Sequence, residues 1–113
     1  MAVDYQDAVI EQLTTTPGAT IYTAPSTVKS SQVQSITCVN GSTSTATYTI
    51  HVVQSGESAV DGNIYADART VAVNGQDTPP GIIGMVLKPS DFITAFASAV
   101  SSLQLKIGLK EIT

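Results

Sequence analysis

The chain has 113 residues, which is enough for one domain with a modest core and too few for two. Charged residues make up 12% of it, about half the usual share, and the net charge is −4. The five basic residues, Lys29, Arg69, Lys88, Lys106 and Lys110, are scattered and leave no electrostatic footprint for nucleic acid. The single cysteine, Cys38, excludes an intrachain disulfide and a thiolate zinc site. No run approaches the roughly 20 apolar residues of a membrane span. Met1 is followed by Asp4, Tyr5, Gln6 and Asp7 without a basic start, so no cleaved leader is expected and synthesis is expected in the cytoplasm. Serine and threonine, 27 together, supply the polar surface instead of charge. That favours β structure and a surface partly covered by neighbours.

Residues 1–17 differ from the rest. The spacing of Tyr5, Val9 and Leu13 predicts a short helix over 5–13, with Asp4 as its N-cap and Asp7 in the first turn. The Thr14-Thr-Thr-Pro-Gly18 break separates this arm from a domain spanning 18–113. Val3, Tyr5, Val9, Ile10 and Leu13 are too apolar for a solvated tail. They are the candidate interface residues, expected to pack on a sister subunit or a host surface; the alternative is that they fold back on their own domain.

The organising stretch runs from Thr20 to Val53. It reads as a short leading strand closed by Pro25, then a long antiparallel hairpin of 31–40 and 45–53 turning at Asn40-Gly41. In the first arm Val33 and Val39 have one parity and Ile36 and Cys38 the other, which calls for a bulge or burial on both faces. In the second arm Ala46, Tyr48, Ile50 and Val52 alternate strictly with threonines and His51. Gln54-Ser-Gly-Glu-Ser58 is a turn, and residues 63–73 suggest two short strands around Asp67-Ala-Arg69. Asn74-Gly75 opens a turn that Gln76 to Gly81 extends.

Residues 81–87 read as a strand with Ile83, Met85 and Leu87 on one face. Lys88-Pro-Ser-Asp91 reads as a tight turn with Pro89 at its second position and the Asp91 side chain closing it. Residues 92–99 follow as a strand with Phe92 and Phe96 on one side. Leu103, Leu105, Ile107 and Leu109 point inward along the last strand, 103–112. The expected core is Ile21, Ile36, Tyr48, Ile50, Val52, Met85, Leu87, Phe96, Leu105, Ile107 and Leu109. About seven or eight strands separated by turn signals predict an all-β fold, a single antiparallel β-sandwich or jelly roll with a short N-terminal arm or helix.

Chemistry-bearing patterns are sparse. His51 is expected on the outward, threonine-rich face, with no nucleophile motif beside it. Asp61, Asp67 and Asp77 lie in or near loops without the spacing of a calcium loop. No phosphate-cradling glycine loop precedes a helix. Cys38 reads as a small buried hydrophobe. Neither a catalytic function nor a cofactor is expected.

Five motifs in order carry a resemblance. They are Ile21-Tyr-Thr-Ala-Pro25; Val33-Gln-Ser-Ile-Thr-Cys-Val-Asn40; Ala46-Thr-Tyr-Thr-Ile-His-Val-Val53; Gly84-Met-Val-Leu-Lys-Pro-Ser-Asp-Phe-Ile-Thr-Ala-Phe-Ala-Ser98; and Ile107-Gly-Leu-Lys-Glu-Ile-Thr113. The chain resembles a group of small β-sandwich virion proteins of tailed bacteriophages, over about 95 residues. Two departures stand out: Ser90 replaces the glycine of the usual Gly-Asp turn, and residues 74–81 carry an unusually placed Pro-Pro. The resemblance implies a structural protein of the particle. The first expectation is a capsid decoration or cement protein, a homotrimer on the major capsid protein, located in the virion. The alternative is a tail, collar or fibre-attachment component. A small carbohydrate-binding module is the remaining reading, weakened by the absence of Trp. Neither nucleic acid nor membrane is an expected partner.

Overall fold

The computed structural model describes residues 9–113 in full and the backbone of residues 3–5. Ten strands occupy these residues: β1 (Val3–Tyr5), β2 (Val9–Gln12), β3 (Thr20–Thr23), β4 (Ser30–Asn40), β5 (Ala46–Val53), β6 (Ile64–Val71), β7 (Gln76–Asp77), β8 (Val86–Leu87), β9 (Phe92–Ala97) and β10 (Leu103–Ile112). One 3-10 turn, Asp61–Asn63, is the sole helical element among the described residues. All pairings are antiparallel, and the two sheets pack face to face.

In the first sheet β1 and β2 both lie along one side of β10, β10 pairs with β4, and β7 and β8 share the far side of β4. The second sheet runs β3-β9-β5-β6. Counted as paths, with β1 and β2 as one and β7 and β8 as another, the ten strands make eight. Numbered along the chain, those paths order as 1-8-3-6 and 2-7-4-5, which is the double Greek key of a jelly roll. The all-β sandwich expected from the alternation is therefore the fold.

The expected hairpin is not. β4 belongs to the first sheet and β5 to the second, so residues 41–45 cross between sheets rather than reverse within one. Neither Asn40 nor Gly41 takes a positive φ, the backbone a two-residue hairpin loop at Asn-Gly requires. Asn40 is buried and holds the crossing together. Its Nδ2 donates to Ser44 O at 2.9 Å and Val71 O at 3.0 Å, and its Oδ1 accepts from the Ser42 amide and hydroxyl.

The parity break in β4 is a bulge. Ser35 opposes Gly108 and Val33 opposes Leu109, so Gln34 is the extra residue. That lets Val33 and then Ile36, Cys38 and Asn40 all turn inward. Gly108 leaves room for the opposing serine, since a Cβ on it would stand 2.6 Å from Ser35 Oγ and force that exposed hydroxyl to rotate away. β6 is one strand, not two: Asp67 and Ala68 together oppose Thr49, and Ala68 has φ +46.

The expected helix over 5–13 is absent, since residues 3–5 and 9–12 are strand. A spacing of four puts Tyr5, Val9 and Leu13 on one face of a strand as well as of a helix, and β10 offers this segment a ladder. Leu13 is buried in the core and its amide donates to Leu103 O, while Thr14 O accepts from Ala97 N in the other sheet.

Most of the expected core is buried: Ile36, Tyr48, Ile50, Leu87, Leu105, Ile107 and Leu109. Ile21, Val52 and Met85 are partly buried against it. Phe96 is the exception. Ile93, Ala95 and Ala97 face inward from β9, and Phe92 and Phe96 face out. The cause is volume: Ala97 opposes Tyr48 and Ala95 opposes Ile50, so only a small residue fits between the sheets there. The expected strand over 81–87 shrinks to Val86–Leu87, with Ile82 rather than Ile83 buried.

Candidate interaction site

The loops at one end of the sandwich enclose a cavity of about 360 Å³. Its inner wall is aliphatic: Val52 and Val53 at the end of β5, then Met85 and Leu87. Its rim carries Gln54, Glu57, Asn63, Tyr65, Val86 and Asp91. Local backbone chemistry places each part. Gly56, at φ +83, lets Glu57 N return to Gln54 O and so tightens the 54–57 turn. Asn63 fixes the opposite wall, accepting from Val60 N at 3.0 Å and donating to Ser58 O at 2.9 Å. In β6, Ala66 opposes Ile50 and Ile64 opposes His51, so Tyr65 is an extra, bulged residue. The bulge turns its ring to the cavity mouth, where the residue is 43% exposed.

The turn expected at 88–91 forms the remaining side. Asp91 N donates to Lys88 O, and Asp91 Oδ2 accepts from Lys88 N at 3.0 Å. The second carboxylate oxygen accepts from Ser55 N at 2.9 Å, which ties this turn to the 54–57 turn. Ser90 holds φ +71, the conformation a type II turn requires after Pro89.

Asp91 and Asn63 thus spend their polar atoms on the loops, and Gln54, Glu57, Tyr65 and Val86 remain exposed at the mouth. The lining contains no His, Cys, Ser or Thr. Its arrangement can hold an apolar group beside a carboxylate; it offers no nucleophile paired with a base.

A second polar cluster crosses between the sheets. Asp77 on β7 accepts from the Tyr48 hydroxyl at 2.6 Å, and from Arg69 Nε at 2.7 Å and Nη2 at 3.1 Å. The Arg69 hydrogen bonds, with help from Tyr48, hold the Asp77 carboxyl below the usual carboxylate range. Burial, reinforced by the Asp77 carboxylate, pushes the Tyr48 phenol well above its ordinary value. On the far side of the sandwich the Tyr22 hydroxyl donates to Glu111 Oε2 at 2.9 Å and lies 3.0 Å from Ser31 Oγ. Burial, with Glu111 adding, pushes it up to about 12.

The residues singled out in the sequence fall in several places. His51 is not a surface residue. It is 7% exposed, at the centre of the second sheet with Ile64 and Thr94 as its cross-strand neighbours. His51 Nδ1 and Thr94 Oγ1 are both buried without a hydrogen-bond partner. Asp77 is engaged by Arg69, while Asp61 and Asp67 are exposed. Among the described residues, no three His, Cys, Asp or Glu side chains come together to hold a metal ion.

Of the candidate interface residues, Leu13 belongs to the core, Val9 packs against it, and Ile10 is 59% exposed. Val3 and Tyr5 have their backbone in β1, and their side chains lie outside the described residues. The cavity escaped the sequence reading. Its signal was the adjacent apolar pair Ile64-Tyr65, which breaks alternation where the bulge lies. No protein-family model, no curated protein and no solved structure matches this chain.

Proposed function

We propose that this chain is a non-catalytic structural protein of a tailed-bacteriophage virion. In this reading it is a decoration or cement protein that seats as a homotrimer on the major capsid protein and stabilises the assembled shell. The observation that carries the reading is the turn at Lys88–Asp91. The virion proteins that the sequence resembles place glycine before the aspartate, and here Ser90 keeps the positive φ that glycine would adopt, with Asp91 capping the turn. The jelly-roll order of strands and the low share of charged residues agree with a protein whose surface is partly covered by neighbours.

The test is a copy count. Purified particles are digested and the chain is quantified against the major capsid protein with isotope-labelled peptides. A number comparable to the shell subunits is the expected result. A number matching a single tail or collar ring would move the protein to that part of the particle, and absence from particles would end the reading.

A further inference from the structure

We infer that the loop-end cavity is a docking site for a peptide segment of a partner protein, one that presents an aliphatic side chain next to lysine or arginine. This deepens the reading of the chain as an assembly protein, and rests on it for the source of the segment.

Shape is the first argument. The cavity does not stand alone: Gln54, Val86 and Asp91 also line an adjoining depression bordered by Ser55, Lys88 and Pro89. Together they form an elongated surface, which suits a chain better than a compact ligand. The inner wall of Val52, Val53, Met85 and Leu87 offers only aliphatic and thioether contact, so what enters must be apolar. Exposed apolar residues border it: Val86 is 57% exposed and Tyr65 stands at the mouth. Val60, whose amide donates to the side chain of the lining residue Asn63, is exposed as well. Among the described residues, three of the seven large exposed hydrophobics therefore lie in or beside this lining. A lone surface hydrophobic needs no explanation, but a cluster around a cleft marks an interaction site.

Charge supplies the second argument. Glu57 and Asp91 line the cavity, Asp61 precedes its Gly62 wall, and no basic residue lines it; Lys88 borders only the adjoining depression. The chain as a whole carries −4. A segment with lysine or arginine beside its apolar residue matches that field, and an acidic segment opposes it. A saccharide fits less well. It would need several free polar groups around a flat aromatic platform. Here Asn63 and Asp91 are committed to backbone groups, and Tyr65 is the one aromatic in the lining.

The experiment is an NMR titration of the ¹⁵N-labelled full chain with the pentapeptide Gly-Lys-Leu-Lys-Gly. Saturable shifts are expected at the amides of Gln54, Tyr65, Val86 and Leu87, weakening as salt is added. Gly-Glu-Leu-Glu-Gly and Gly-Lys-Ser-Lys-Gly should each bind at least roughly tenfold more weakly. Val86→Lys, at an exposed site, removes an apolar contact and opposes the peptide's charge, so it should abolish the shifts while the rest of the spectrum stays native. Val73→Lys, at an exposed site outside the lining, should leave affinity unchanged. The inference is overturned if the leucine peptide shifts no cavity amide, if the glutamate peptide binds as tightly, or if Val86→Lys has no effect. Glucose shifting these amides where the peptide does not would also overturn it, in favour of a sugar site. Because no particle is present, failure here leaves the copy count to judge virion membership separately.

Discussion

Tyr48 on β5 and Asp77 on β7 belong to different sheets, yet the Tyr48 hydroxyl reaches the Asp77 carboxylate at 2.6 Å. Arg69 completes the clasp from β6, so one carboxylate ties two strands of the second sheet to the edge of the first. Tyr22 and Glu111 make the counterpart on the other side. A small sandwich with few charges thus places some of them where they join its layers.

Removing the phenol tests the clasp. Tyr48→Phe keeps the ring in the core and deletes a hydrogen bond to a charged group, at an expected cost of about 1.5–3 kcal/mol by urea unfolding. The pH dependence has a definite sign. The Asp77 pKa is lowered in the folded protein, so its contribution is complete above the unfolded carboxylate value of about 3.9 and disappears as pH falls from there through the folded value. The stability gap between wild type and Asp77→Asn should hold from neutral pH down to about pH 5 and close below about pH 4. A gap that persists unchanged into strong acid would show that the carboxylate charge is not what stabilises the clasp.

Cys38 lies opposite Asp77 on β4 and is fully buried. Burial, with the Asp77 carboxylate adding, pushes its thiol up to about 12. A thiol in that state is a poor nucleophile. Native protein at pH 8 should leave an aromatic disulfide reagent such as DTNB unreacted for hours, and should titrate one thiol at once in denaturant. Fast reaction of the native protein would mean that β7 detaches readily from β4.

Ser90 holds the left-handed backbone of its turn without being glycine. A side chain at φ +71 is strained whatever its surroundings. Ser90→Gly should therefore stabilise the protein, by about 0.5–1 kcal/mol after the extra freedom of glycine in the unfolded chain is counted. A lower melting temperature for Ser90→Gly would contradict this account of the turn.

Much of the fold was legible because alternation reports burial directly. The last strand, Leu103 to Ile112, and the parity break that became the Gln34 bulge were both read from that pattern. What alternation does not carry is the partner. Nothing in Asn40-Gly41 says whether the next strand returns to the same sheet or crosses to the other, and the crossing depends on Asn40 reaching Val71 O, 31 residues away. Side-chain size misled at β9, where the space beside Tyr48 and Ile50 selects alanine and turns the phenylalanines out. The cavity, marked in the sequence only by the Ile64-Tyr65 pair, was hidden for a similar reason. Its walls come from residues 52–65 and 85–91, which only the topology brings together.

Ile50 tests that inner packing. It is fully buried and opposes Ala95 on one side and Ala66 on the other. Neither alanine can fill a void, so Ile50→Ala should cost about 2–5 kcal/mol, toward the upper end if the sheets cannot close. Phe96→Ser, on the outward face, should cost distinctly less. Equal losses in chemical denaturation would mean that the outer face of the second sheet is packed as tightly as the core.

Leu13 and Ile10 divide the N-terminal segment between two jobs. Leu13 is 2% exposed and anchored through Leu103 O, so Leu13→Ala should cost about 2–5 kcal/mol. Ile10, opposite Lys106 on β10, is largely exposed, so Ile10→Asp should change stability by no more than about 0.5 kcal/mol. Deleting residues 2–16 would confound the two, since it strips Leu13 from the core together with the edge strand. If this edge contacts a neighbour, burying Ile10 contributes about 1.5–3 kcal/mol to association. Ile10→Asp should then lower the mass of any self-associated species in light scattering, or binding to particles, while the melting curve stays that of wild type. Unchanged association with a native melting curve would show that the exposed face of β2 makes no contact with a neighbour. The contact surface would then have to be sought at the loop end, around Tyr65 and Val86.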